Sequence, residues 1–69
     1  MVEVDVRGLT CPIPVVRTQQ AITENPGQEI VTLCDSSVAK ENVTRLAEKK
    51  GYTVTETKEG PDFKLVLKP

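Results

Sequence analysis

Cys11 is the residue of this chain best placed to do chemistry, and its neighbours are the reason. It stands in the run Arg7-Gly8-Leu9-Thr10-Cys11-Pro12-Ile13-Pro14, where a strand pattern has ended and a helix pattern is about to begin. With Pro14 in the opening turn of that helix, the thiol is expected beside unpaired backbone N–H groups and the positive end of the helix dipole. Such a setting favours thiolate, the nucleophilic form of cysteine. It favours a terminal persulfide anion for the same reason that helix N-termini hold other anions. Arg7 and Arg17 are candidate sources of further positive charge. Pro12 and Pro14 fix φ on two of the three residues after Cys11 and bias Cys11 and Ile13 away from helical angles. This predicts a stiff, extended Cys-Pro-x-Pro segment that holds the sulfur outward. No second cysteine lies two or three residues away, so the segment is not a Cys-x-x-Cys redox motif. A lone cysteine in a small protein is commonly just a small buried hydrophobe, and only its setting separates Cys11 from that case.

The second thiol, Cys34, falls at the C-terminal end of the second strand pattern. In a parallel pairing of the first two strands, that end shares an edge of the sheet with Cys11. A resolving or relay role is the functional reading; a packed strand residue is the preferred one, since free cysteine is so often buried. Asp5 ends the first strand pattern just before a glycine turn, where Asp attracts local backbone hydrogen bonds. It is expected to help orient the Cys11 loop, and Gly8 to supply a backbone angle that other residues dislike.

Composition bounds the rest. Sixty-nine residues make a single domain. The chain is 38% apolar and 28% charged, an ordinary globular balance rather than a disordered one. Its net charge is −1 and its nine basic residues form no block, so direct nucleic-acid binding is not expected. The N-terminal run Met1-Val2-Glu3-Val4-Asp5 lacks the basic and apolar regions of a signal peptide. Apolar runs fall far short of a membrane span. Two cysteines and no histidine supply too few soft ligands for a four-ligand zinc site, so no metal or cofactor is expected. They are also too few for a disulfide scaffold, which points to a reducing, cytoplasmic setting.

The elements that must hold Cys11 follow from periodicity. Val2, Val4 and Val6 alternate with acidic residues as in a strand. Val15 to about Glu24 reads as a helix with Val15, Thr18, Ala21 and Ile22 on one face, stopped by Asn25-Pro26-Gly27. Glu29 to Cys34 reads as a buried strand, and Asp35, Ser36 and Ser37 are three N-cap candidates. From Val38 to Lys50, Ala39, Val43, Leu46 and Ala47 carry helical spacing, with Gly51 at the C-terminal position that takes φ > 0. Lys40, Arg45, Lys49 and Lys50 read with Glu41 and Glu48 as that helix's exposed face. Tyr52 to Lys58 makes a third strand, Glu59 to Asp62 a turn, and Phe63, Leu65 and Leu67 the inward face of a fourth. The order β-α-β-α-β-β predicts an α/β (α+β) two-layer sandwich: a mixed four-stranded sheet with two helices on one face and a closing antiparallel pair.

The segment Asp5-Val6-Arg7-Gly8-Leu9-Thr10-Cys11-Pro12-Ile13-Pro14-Val15 resembles the signature of the TusA/SirA-like sulfur-carrier family, in which an Asp-x-x-Gly-Leu-x-Cys-Pro-x-Pro run opens the domain. The resemblance extends over length, element order and the position of the cysteine. It implies that Cys11 accepts a sulfane sulfur from a cysteine desulfurase or another sulfurtransferase, holds it as a persulfide and passes it to an acceptor protein. It further implies that Asp5, Gly8, Leu9, Pro12 and Pro14 shape the loop around that thiol. Asn42-Val43 with Arg45, Ala47 and Gly51-Tyr52 is similar to the YedF-type branch, which often joins this domain to a DsrE-like one. None follows Pro69, which suggests a stand-alone carrier or an excised domain. Two other readings stay open: a thiol redox sensor closing a Cys11–Cys34 disulfide, and a non-catalytic interaction domain that regulates a partner.

Overall fold

A computed structural model of the chain describes residues 2–10 and 12–69; Met1 and Cys11 lie outside the described residues. The elements run β1 (Val2–Asp5), α1 (Ile13–Glu24), β2 (Ile30–Cys34), α2 (Ser37–Lys49), β3 (Thr53–Glu59) and β4 (Asp62–Lys68). The four strands form one sheet in the order β1-β2-β4-β3. β1 runs parallel to β2, while β4 is antiparallel to both β2 and β3. This is the mixed sheet expected from the sequence.

One face of the sheet makes the core. Val2 and Val4 of β1, Ile30 and Cys34 of β2, Leu65 and Leu67 of β4, and Val54 of β3 pack against Ala21 and Ile22 of α1 and Ala39, Val43 and Ala47 of α2. Both helices therefore lie on the same side. The other face carries Glu3, Val31, Leu33, Lys64 and Val66 in register across three strands. With only two aromatic residues in the chain, the interior is aliphatic.

Local chemistry sets the element ends. Gly51 takes φ +85, and the N–H groups of Tyr52 and Gly51 donate to the carbonyls of Ala47 and Glu48. That is the paired closure of a Schellman motif, with Tyr52 packed onto the core behind it. The β3–β4 hairpin turns through Gly60 at φ +61 and Pro61, with glycine at the first central position as a type II′ turn requires. α1 stops before Pro26, and Asn25 donates its N–H and its side-chain amide to the carbonyl of Ala21. The N-cap of α2 is Ser36, without a side-chain cap bond, so neither Asp35 nor Ser37 fills that role.

Two expectations need correction. α1 begins at Ile13 rather than Val15, so the segment is not extended through Ile13. The bias that Pro14 places on its predecessor is overcome because Ile13 N–H donates to the carbonyl of Thr10 at 2.9 Å and Pro14 is itself fully buried. Lys40 is not simply a solvated helix residue: its Nζ lies 3.2 Å from Glu56 Oε2 and 4.7 Å from the centre of the Phe63 ring, tying α2 to β3 and β4.

Candidate functional site

Parallel pairing places the C-terminal ends of β1 and β2 at one edge of the sheet, with Asp5 opposite Leu33. The start of β4 reaches the same edge, since Phe63 pairs with Cys34. The loop from Val6 to Thr10, which leads into Cys11 and α1, is built on this edge.

Val6 extends the β1–β2 ladder by donating its N–H to the carbonyl of Leu33 at 2.8 Å. The chain then reverses in a turn closed by Leu9 N–H on the carbonyl of Val6, with Gly8 third at φ +77. A type II turn requires that sign at that position, which accounts for the glycine. Leu9 is half-buried and packs on the core, anchoring the far side of the turn.

Side chains hold this turn from three sides. Asp5 Oδ1 accepts from the backbone N–H and from Nε of Arg7, at 3.1 and 2.9 Å, while Asp5 Oδ2 accepts from Nη2 at 2.7 Å. Arg7 also donates from Nη1 to Asp62 Oδ2 at 3.2 Å. Gly8 N–H donates to Asp35 Oδ2 at 2.9 Å. The Arg7 guanidinium holds the Asp5 carboxyl down at a pKa of about 2, and the two carboxylates in turn raise that of Arg7.

Arg7 is therefore not a spare cation for an anion on sulfur, because two carboxylates already hold its charge. Arg17 differs. It lines an open cleft of about 720 Å³ with Asp5, Arg7, Gly8, Leu9 and Asp62, and it forms no ion pair among the described residues.

The start of α1 has fewer free donors than a typical helix. Pro12 is the N-cap and Pro14 lies in the first turn, so neither has an N–H. Ile13 N–H is taken by Thr10 and Val16 N–H by Pro12. No acidic residue lies in that first turn, so nothing there opposes the dipole. The expected favour toward an anion thus rests on the dipole more than on an array of N–H groups. Cys11 lies outside the described residues, and its flanking residues Thr10 and Pro12 are both exposed.

Cys34 is completely buried, its Sγ 3.8 Å from the carbonyl of Phe63. Burial first, then the charge of Asp35, pushes its thiol pKa up. The preferred packing reading fits this placement. Asp35 and Asp62 join the site although their sequence positions predict only a helix-cap candidate and a turn residue. A signal existed for Asp35, which directly follows the strand expected to lie parallel to β1.

The model of the family described as Sulfurtransferase TusA matches residues 2–68. The chain belongs to the TusA family. Over 99% of its length it is 41% identical to a predicted sulfur carrier protein of Methanocaldococcus jannaschii, covering 93% of that relative. A predicted sulfur carrier of Thermotoga maritima is 36% identical over 93% of this chain and 85% of its own. The crystal structure of a SirA-like protein from Desulfitobacterium hafniense superposes with a TM-score of 0.91 at 28% identity, covering 99% of this chain and 96% of that one. This TusA-family domain therefore has the SirA-like fold, and two of the proteins it resembles are predicted sulfur carriers. Among the described residues no helix is long and apolar enough to cross a membrane.

Proposed function

We propose that this TusA-family protein carries sulfur on Cys11, receiving it from a donor protein as a persulfide and yielding it to an acceptor protein. The observation that carries the reading is the burial of Cys34: in a chain with two cysteines, the one inside the core cannot meet a partner's sulfur, which leaves Cys11. Its position in Cys11-Pro12-x-Pro14, at the entrance to an uncapped helix N-terminus, supports the same assignment.

The transfer needs no external oxidant or reductant. The Cys11 thiolate attacks the outer sulfur of the donor's persulfide; a new S–S bond forms on Cys11 as the donor's own S–S bond breaks and its cysteine leaves as thiolate. The terminal sulfur keeps its proton or loses it to water. An acceptor thiolate then attacks that outer sulfur, and Cys11 leaves as thiolate. The donor is a cysteine desulfurase or another sulfurtransferase, and a thiol that must stay reduced between cycles suits a cytoplasmic setting.

Intact-mass analysis after incubation with a cysteine desulfurase and L-cysteine tests this. Wild type and Cys34→Ser should gain one reducible sulfur, and Cys11→Ser none. Loading that survives in Cys11→Ser would overturn the assignment.

A further inference from the structure

We infer that Asp35, with Asp62 beside it, is a positioning residue for the Cys11 loop: it fixes the loop's angle of presentation to a partner through the Gly8 N–H. The inference rests on the carrier reading for its functional consequence, and on geometry for its structural part.

Neither carboxylate belongs to the segment that bears Cys11. Asp35 follows β2 and Asp62 opens β4. Yet both reach the same turn, Asp35 through Gly8 N–H at 2.9 Å and Asp62 through Arg7 Nη1 at 3.2 Å. Gly8 needs such a partner. Its residue sits at φ +77, where glycine's freedom is greatest and the turn is least self-determined. The turn's own closing bond, Leu9 N–H to the Val6 carbonyl, is long at 3.3 Å. A charge-assisted bond to a carboxylate is the stronger constraint. The other side of the loop is fixed by Pro14, buried in the core, and by the bond from Ile13 to Thr10. Asp35 thus restrains the stretch before Cys11 while the start of α1 restrains the stretch after it.

A restraint of this kind matters for docking between two proteins more than for reaction with a small molecule. Transfer of sulfur between two protein thiols requires approach along one line, whereas a small alkylating agent can come from many directions. Losing the restraint should therefore divide the two reactions. Asp35→Ala should slow sulfur loading from a persulfidated cysteine desulfurase by roughly threefold to tenfold, the range expected for one hydrogen bond. Alkylation by iodoacetamide should stay within about twofold of wild type, because that reagent needs only an accessible thiolate. Asp35→Asn keeps an acceptor oxygen and should restore most of the loading rate.

Amide NMR of the unmodified protein reads the bond itself. The Gly8 N–H should be protected from exchange with solvent in wild type, and this response should be lost in Asp35→Ala. A Gly8 response unchanged in Asp35→Ala overturns the inference. So does equal loading by Asp35→Ala and wild type, or a parallel fall of loading and alkylation that tracks lost folded signal. If wild type itself takes up no sulfur while the Gly8 response depends on Asp35, the carrier reading fails and the loop restraint stands.

Discussion

Asp5 and Arg7, two positions apart at the end of β1, are joined by three hydrogen bonds of 2.7 to 3.1 Å that use both carboxylate oxygens. The pair turns the end of a strand into a fixed corner, since one of the three donors is the Arg7 backbone N–H. It also sets a pH dependence. The Asp5 carboxyl is lowered from 3.8 to about 2, so the unfolded chain binds its proton more tightly than the folded one. The contribution to stability is present above about pH 4 and is lost as pH falls toward about 2. Because both groups are exposed, the effect is modest and salt-sensitive. Asp5→Asn should therefore melt below wild type near neutral pH, with the gap closing between those two values. A gap that stays constant through that window would show that the pair contributes nothing through its charge.

How much of this was readable beforehand varies with the physics involved. Val2 and Val4 on β1 with Val6 just beyond it, and Ala39, Val43 and Ala47 on α2, declared their buried face because periods of two and 3.6 are printed directly in residue order. Gly51 declared the end of α2 because a single backbone angle demands it. The onset of α1 was misplaced because its decisive bond, Ile13 to Thr10, competes with the extended bias of a residue before proline, and sequence gives no weight to either side. The charge state of the site was hidden for a different reason. Arg7 meets Asp62 across 55 positions, and that partner exists only once β4 lies beside β2. Lys40 looked solvated for the same reason: Glu56 and Phe63 come to it from another layer.

Among the described residues, one buried side-chain polar atom has no hydrogen-bond partner. Thr32, in the middle of β2, is fully buried and its Oγ1 finds no hydrogen-bond partner among the described residues. A buried hydroxyl left unpaired carries its desolvation cost uncompensated. Thr32→Val keeps the β-branched shape a strand favours and removes that cost. It should stabilise the protein by about 1 kcal/mol, seen as a higher urea midpoint at unchanged slope. A loss of stability would reveal a partner for the hydroxyl, such as a bound water.

Two glycines separate stability from function. Gly8 and Gly51 share positive φ, +77 and +85, and an added Cβ would meet nothing within 4 Å at either. Alanine at each should therefore cost a similar amount, about 1 kcal/mol of backbone strain and no steric clash. Only Gly8 lies in the turn that leads to Cys11. Gly8→Ala should slow sulfur loading while Gly51→Ala leaves it at the wild-type rate. Equal loading by the two variants, at matched loss in Tm, would mean that the turn's geometry has no bearing on transfer.

The two thiols should differ in kind. Cys34 is excluded from solvent, and burial together with Asp35 raises its pKa, so in the folded protein it stays protonated at neutral pH. A thiol-specific reagent should modify one cysteine of the native protein quickly, identified as Cys11 by peptide mapping, and Cys34 only as the chain unfolds. Cys34→Ser should keep both the fast native reaction and sulfur loading, at a cost of about 1–2 kcal/mol for placing a hydroxyl in that apolar site. The opposite pattern has a distinct signature. If mild oxidation links Cys11 to Cys34 while the fold persists, and Cys34→Ser abolishes the response, the pair is a redox switch and the carrier assignment loses its main support.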